Sequence, residues 1–138
     1  MAKDIFHNTV KKALEKDGWK ITHDPYRLRY GVVDVYIDLA AEEAIAAEKE
    51  GLKIAVEVKS FTSGSAISEF HTALGQFLNY RIAIESSEEP ERVLYLAVPI
   101  DVYQSFLRFE PAKNVINRYK VFLIIYDTKK EIIQKWIE

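Results

Sequence analysis

The stretch Ile54-Ala-Val-Glu57-Val-Lys59-Ser60 decides the reading of this chain, because it is an apolar strand carrying a Glu and a Lys two residues apart. Successive strand side chains point to opposite faces. Val56 and Val58 therefore share one face, and Glu57 and Lys59 share the other, about 6.6 Å apart at roughly 3.3 Å per residue. Burying a carboxylate and an ammonium is costly unless they are paired or bind an ion. A divalent cation is one such partner, since hard cations take oxygen ligands, usually one or two carboxylates completed by water and phosphate. Lys59 beside it would position an attacking water or stabilise charge developing on a phosphate. The same tripeptide also suits a half-exposed strand whose wet face simply reads Glu-x-Lys.

The flanking segments bear on that choice. Upstream, Gly31-Val-Val-Asp34-Val-Tyr-Ile-Asp38-Leu39 alternates in part, and read as one strand it sets Asp34 and Asp38 on one side. Asp38 and Glu57 lie 19 positions apart, room for a strand, a turn near Glu50-Gly51 and a return strand through Ile54 to Lys59. The Ala and Glu content of residues 40–48 favours helix, but their place before a Gly turn and a β-branched strand favours a hairpin arm, which is the reading adopted. Downstream, Ser63-Gly64-Ser65 is a loop, and residues 68–81 read as a helix with an apolar stripe of Ile67, Phe70, Leu74, Phe77 and Leu78. Gln76 and Tyr80 stack on a second face. That pair either contacts a phosphate or orients Lys59, or it belongs to a solvated helix face.

The rest of the chain alternates helix and strand. Asp4 can cap a helix burying Phe6, Val10, Ala13 and Leu14 and ending at Asp17-Gly18, with Lys11, Lys12 and Lys16 on its outer side. A strand over 19–22 is interrupted by Pro25. After the acidic run Glu85-Ser-Ser-Glu-Glu-Pro-Glu91, residues 92–98 read as a buried strand and 99–109 as a short helix opening near Asp101. Residues 111–119 add a helical turn or two, and 121–126 with 132–136 form a hairpin around 127–131. There is no internal repeat, low-complexity tract or linker.

Composition sets bounds. With 138 residues, 49% of them hydrophobic, the chain suffices for one sizeable core. No apolar run approaches the roughly 18 to 20 residues of a membrane span, and the charged start Met1-Ala-Lys-Asp is not a secretory signal, so a soluble, cytoplasmic protein is expected. The absence of cysteine excludes disulfides, thiolate metal sites and a thiol nucleophile. His7, His23 and His71 are dispersed and read as surface or packing residues. The formal charge of −2 runs against the basic excess usual in proteins that grip many phosphates. It is unevenly placed, however: an acidic centre over 31–57 lies between basic ends. This suits a metal site with phosphate-binding margins, and equally an acidic surface docking a basic partner.

Asp38, Glu57-Val-Lys59 and Gln76-Phe-Leu-Asn-Tyr80 together resemble the PD-(D/E)xK nuclease superfamily, in particular branches with a Gln-x-x-x-Tyr helix. The whole chain resembles the XisH family, cyanobacterial proteins named as fdxN-element excision controlling factors. The residues carrying that likeness run from Lys3-Asp-Ile-Phe-His7 through Ile37-Asp-Leu-Ala-Ala-Glu42 and Ala55-Val-Glu-Val-Lys-Ser-Phe61 to Tyr126-Asp-Thr-Lys-Lys130. The resemblance implies an α/β, restriction-endonuclease-like fold, a central mixed β-sheet flanked by helices, with residues 1–138 as a single domain. It further implies a role in programmed DNA excision with an XisI-like partner protein and a site-specific recombinase, Mg²⁺ or Mn²⁺ as cofactor, and a homodimer, because two DNA strands need two cuts. Carried over by position, Asp38 matches the first metal-binding acid, with Asp34 in reserve, and Glu57 matches the second acid. Lys59 matches the lysine, and Gln76 and Tyr80 the helix pair. Two departures stand out: Ile37 takes the place of the usual proline, and the first helix offers His7, with Glu15 two turns on, where many members carry Glu. Three functions remain open: a metal-dependent DNA endonuclease or resolvase, a non-catalytic DNA-binding accessory factor, and a protein-interaction subunit.

Overall fold

A computed structural model describes residues 4–43 and 51–138. The chain forms α1 (His7–Lys16), β1 (Trp19–His23), β2 (Tyr26–Tyr30), β3 (Val33–Ile37), β4 (Leu39–Glu43), β5 (Lys53–Val58) and α2 (Ala66–Glu85). It continues with β6 (Val93–Pro99), α3 (Ile100–Val102) running into a π-helical turn at Tyr103–Leu107, α4 (Ala112–Tyr119), β7 (Leu123–Asp127) and β8 (Ile132–Ile137). Six strands form one mixed sheet in the order β1-β4-β5-β6-β7-β8, and β2 and β3 form a separate ribbon. The central pairs β5–β6 and β6–β7 are parallel, with α2 and then α3 and α4 as their crossover segments; the outer pairs are antiparallel. Parallel strands covered on both faces read as continuous apolar runs, which is why β6 is buried along nearly its whole length.

Alternation along the strands divides the core in two. Ile54, Val56 and Val58 of β5 face α1 and pack with Val10 and Leu14. Ala55 and the matching residues of β6 and β7 face α2 and α4, where Phe70, Phe77 and Ile116 cover them. The sheet curls so far around α1 that its two edge strands meet: Trp19 of β1 and Trp136 of β8 have ring centroids 5.6 Å apart, and Tyr95 packs edge-on against Trp136 at 5.0 Å. The right-handed twist of successive strands accumulates into this curl. α1 accordingly lies against both β1 and β8. Its lysines are engaged rather than free: Lys11 pairs with Asp24 at 2.8 Å, Lys12 with Glu131 at 3.8 Å, and Lys16 donates to the Lys130 carbonyl.

Several sequence expectations change in detail. Residues 31–39 are not one strand. β3 stops at Ile37, the chain bends at Asp38, and β4 joins the main sheet while β3 pairs with β2. The pairing of β2 with β3 was not legible because Pro25 suggested an interruption; the residue instead sits in the turn between β1 and β2. Residues 39–43 of the expected hairpin arm form β4, and 44–48 lie outside the described residues, as does Glu50 of the expected turn. At Gly51 a Cβ would stand 2.6 Å from the Glu43 carbonyl oxygen, so only glycine fits where the returning chain meets β4. α2 is longer than expected at both ends, opening after Ser65, whose Oγ accepts the Ser68 N–H at 3.3 Å. Asp4 caps the turn that leads into α1 through the Phe6 N–H, and Gly18, at φ +92°, ends the helix in a conformation L side chains resist. In the acidic run Glu89 is an anchor, not a solvated charge. Burial pushes its carboxyl up, but hydrogen bonds from Lys53 and Arg92 outweigh this and bring it down to about 2.

Candidate active site

The site forms where β5 ends. Glu57 shares the face of Ala55, toward α2, and is 6% exposed. The β4–β5 register pairs Leu39 with Val56, which brings the bend at Asp38 opposite Glu57. Asp38 Oδ2 accepts the Val58 N–H at 2.8 Å, and Glu57 Oε1 accepts the Asp38 N–H at 3.3 Å. Lys59 follows directly, its Nζ 3.7 Å from Glu57 Oε2. The Lys59 backbone is pinned to the parallel ladder: its N–H donates to the Ala97 carbonyl at 3.0 Å, and the Tyr126 hydroxyl donates to its carbonyl at 3.4 Å. This is the carboxyl end of the parallel strands, where open α/β sheets place ligands.

Two acids here face one ammonium. Burial first, and then the Asp38 carboxylate, push Glu57 up to about 8, with Lys59 only partly opposing. The same field reaches α2. Tyr80 is pushed up to about 12 by burial and by Glu57 and Asp38, so its hydroxyl stays a proton donor at neutral pH. One turn earlier, Gln76 Oε1 is buried with no hydrogen-bond partner among the described residues. These two side chains do not belong to a wet helix face: Tyr80 packs against the core, and the Gln76 oxygen is withdrawn from water.

Asp34 lies elsewhere. It is on the outer face of the β2–β3 ribbon, where Arg27 at 3.1 Å and Arg29 at 3.5 Å neutralise it, and the hydrogen bond from Arg27 holds its carboxyl below the usual range. The bend at Asp38 is what separates the two aspartates.

His7, a surface or packing residue by its sequence, is packed at 3% exposure and stands beside the acids. Its Nε2 lies 2.7 Å from Asp24 Oδ1, and its Nδ1 lies 4.0 Å from Asp38 Oδ1 with no hydrogen-bond partner among the described residues. Burial raises the Asp24 carboxyl, but hydrogen bonds from Lys11 and His7 outweigh it and leave Asp24 below its ordinary value. The sequence signal for His7 was its place on the first helix. Asp24 carried none beyond a turn before proline. Among the described residues no group of three or more His, Asp or Glu is arranged to hold a metal, so the centre offers the Asp38–Glu57 pair and neighbours that stand close to it.

Fold and site together define a mixed α/β protein with an acid pair and a lysine at the end of a parallel strand. The chain belongs to the XisH family, whose model, described as XisH protein, matches residues 1–134. It is similar to the crystal structure of an XisH family protein from Nostoc punctiforme PCC 73102, with 52% identity and a TM-score of 0.89 over 98% of this chain and 100% of that one. It is also similar to the crystal structure of a fdxN element excision controlling factor protein from Anabaena variabilis, with 50% identity and a TM-score of 0.87 over 99% of this chain and 100% of that one. No curated protein matches the chain.

Proposed function

We propose that the chain takes part in controlling excision of a DNA element, as the name of its Anabaena variabilis relative indicates, and that it does so as a divalent-metal-dependent endonuclease or resolvase with a PD-(D/E)xK-type site on a restriction-endonuclease-like fold. The observation that carries this reading is the meeting of Asp38, Glu57 and Lys59 at one strand end, with Glu57 buried and pushed up to about 8. A buried and a half-buried carboxylate sharing one ammonium suit Mg²⁺ or Mn²⁺, because a cation would relieve the repulsion that Lys59 only partly offsets. Such an ion, when bound, polarises a phosphoryl oxygen and lowers the pKa of a water. Asp38 and Glu57 would hold it. The Lys59 ammonium would stand against charge developing on the phosphate, and Gln76 and the protonated Tyr80 would donate hydrogen bonds to phosphate oxygens. A second reading, an accessory subunit that binds without cutting, draws on the formal charge of −2 and on the limit of two grouped acids. In either role the partners proposed are DNA, an XisI-like protein and a site-specific recombinase, with a homodimer where both strands are cut and the cytoplasm as the place of action. Among the described residues no helix is long and apolar enough to cross a membrane.

The deciding experiment is cleavage of supercoiled, linear and branched DNA with Mg²⁺ or Mn²⁺ by the wild type beside Glu57→Ala and Lys59→Ala, with and without the XisI-like partner. Cleavage lost in both variants is the expected result. No cleavage under any condition, with folding and salt-dependent DNA retention intact, would move the protein to the accessory class.

A further inference from the structure

The outer face of α4 differs from that of α1. Lys113, Asn114, Asn117 and Arg118 are exposed along it, with Lys120 just beyond its end, and the chain from Pro111 to Tyr126 holds no acid. Helical spacing sets Asn117 one turn after Lys113 and Arg118 one turn after Asn114, so the four side chains form one patch opposite the buried Ala112 and Ile116. Among the described residues the charged groups of Lys113, Arg118 and Lys120 enter no ion pair or hydrogen bond, nor do the two amides. The α1 lysines, by contrast, meet Asp24, Glu131 or the Lys130 carbonyl. Two acids lie near: Glu110 precedes the helix, and Glu138 shares with Asn117 and Lys120 the hollow beside its last turn, where its carboxylate accepts from the Tyr95 hydroxyl.

The needs of the fold do not account for this composition. A helix dipole favours cations in the last turn, which suits Arg118 and Lys120, but Lys113 stands in the first turn, where a cation is disfavoured and no acid offsets it. Asparagine is a poor helix former, and neither Asn114 nor Asn117 caps α4. Three free cations spaced by amides, with no carboxylate among them, complement a row of phosphates. α4 also lies on the side of the sheet toward which Glu57 points: Ala112 and Ile116 share a core with Ala55 and with Phe70 and Phe77 of α2, and Arg81 of α2 donates to the Tyr119 carbonyl at 2.8 Å. We propose that the outer face of α4 is the surface on which the chain holds duplex DNA, with Lys113, Arg118 and Lys120 neutralising phosphates and Asn114 and Asn117 hydrogen-bonding to the same backbone. The inference rests on the DNA reading of the function and gives it a surface. It reconciles DNA contact with a formal charge of −2, since phosphates meet the local cluster and not the mean charge.

The test is fluorescence anisotropy of a labelled DNA duplex across a salt series, without divalent ions so that nothing is cut. The wild type is compared with Lys113→Gln/Arg118→Gln and with Lys12→Gln/Lys16→Gln, a control with the same change of net charge on α1. Losing two phosphate contacts should reduce the slope of log affinity against log salt by about 1.8 and weaken binding about tenfold or more at 0.1 M salt, with a much smaller change in the control. Duplex added to the ¹⁵N-labelled wild type should shift the amide resonances of α4, which decides the matter if the α4 variant fails to fold. An equal loss in both variants, or an unchanged slope with unshifted α4 amides, overturns this inference and leaves DNA binding standing. α4 amides that respond to an acidic polypeptide but not to the duplex assign the face to an acidic protein and overturn it as well. A wild type that binds no duplex at any salt overturns both this inference and the DNA reading.

Discussion

At Glu57 a carboxyl ordinarily near 4.5 is raised to about 8 by burial and by Asp38, so the folded protein binds this proton more tightly than the unfolded chain does. Its contribution to stability is present below about 4.5 and is lost as pH rises toward about 8. Urea unfolding of the metal-free protein should therefore show stability falling between these two values, and Glu57→Gln should flatten that limb. Asp24 has the opposite sign: with its carboxyl held low by Lys11 and His7, its contribution is present above the ordinary Asp value and is lost on acidification. A divalent ion at the acid pair must displace the Glu57 proton, so the rise in Tm caused by Mn²⁺ should be larger near pH 8 than near pH 6. An equal or reversed effect at the two pH values would place the ion away from Glu57. The two aspartates separate cleanly. Asp34→Ala removes only exposed ion pairs and should leave stability nearly unchanged and Mn²⁺ affinity intact, whereas Asp38→Ala should abolish Mn²⁺ binding; calorimetry distinguishes them.

At the scale of elements, α2 aligns Gln76 and Tyr80 over the strand end. Ser65→Ala removes the oxygen that caps the Ser68 N–H and should cost about 1 kcal/mol in chemical unfolding. Phe77 is fully buried beneath the helix, and Phe77→Ala should cost about 3 to 5 kcal/mol. If α2 sets the site, that variant at a temperature where it remains folded should also lose DNA cleavage or retention. The loop after β5 has its own constraint: Phe61 sits at φ +58° and packs on the core, and the Asp4 carboxylate accepts the Ser60 N–H at 3.0 Å. An aromatic residue in this left-handed region is strained and persists only where packing over-determines it. Together these contacts hold the chain that carries Lys59.

At the scale of the whole molecule, net charge bears on the proposed contact with DNA. The formal charge is −2, and the α1 lysines are engaged in ion pairs or hydrogen bonds, so the outer side of α1 offers few cations to phosphates. The protein alone should accordingly show a shallow salt dependence, equivalent to about four phosphates or fewer, and the XisI-like partner should steepen it; fluorescence anisotropy across a salt series measures both. A steep slope for the protein alone would contradict this picture.

By itself the sequence determined what depends on neighbours along the chain. The alternation of β5 set Glu57 and Lys59 on one face, helical spacing placed Phe70 and Phe77 in the buried face of α2, and the terminal hairpin followed from two apolar runs around 127–131. Tertiary structure decided the rest. Which of Asp34 and Asp38 lies beside Glu57 turned on a bend and on β3 pairing with β2 instead of the main sheet, and periodicity within one segment carries no information about its partner strand. The placement of His7 between Asp24 and Asp38, and the meeting of Trp19 with Trp136, arise from the sheet curling around α1. Local pattern tells which way a side chain points from its own element; only the packing of elements tells what it points at.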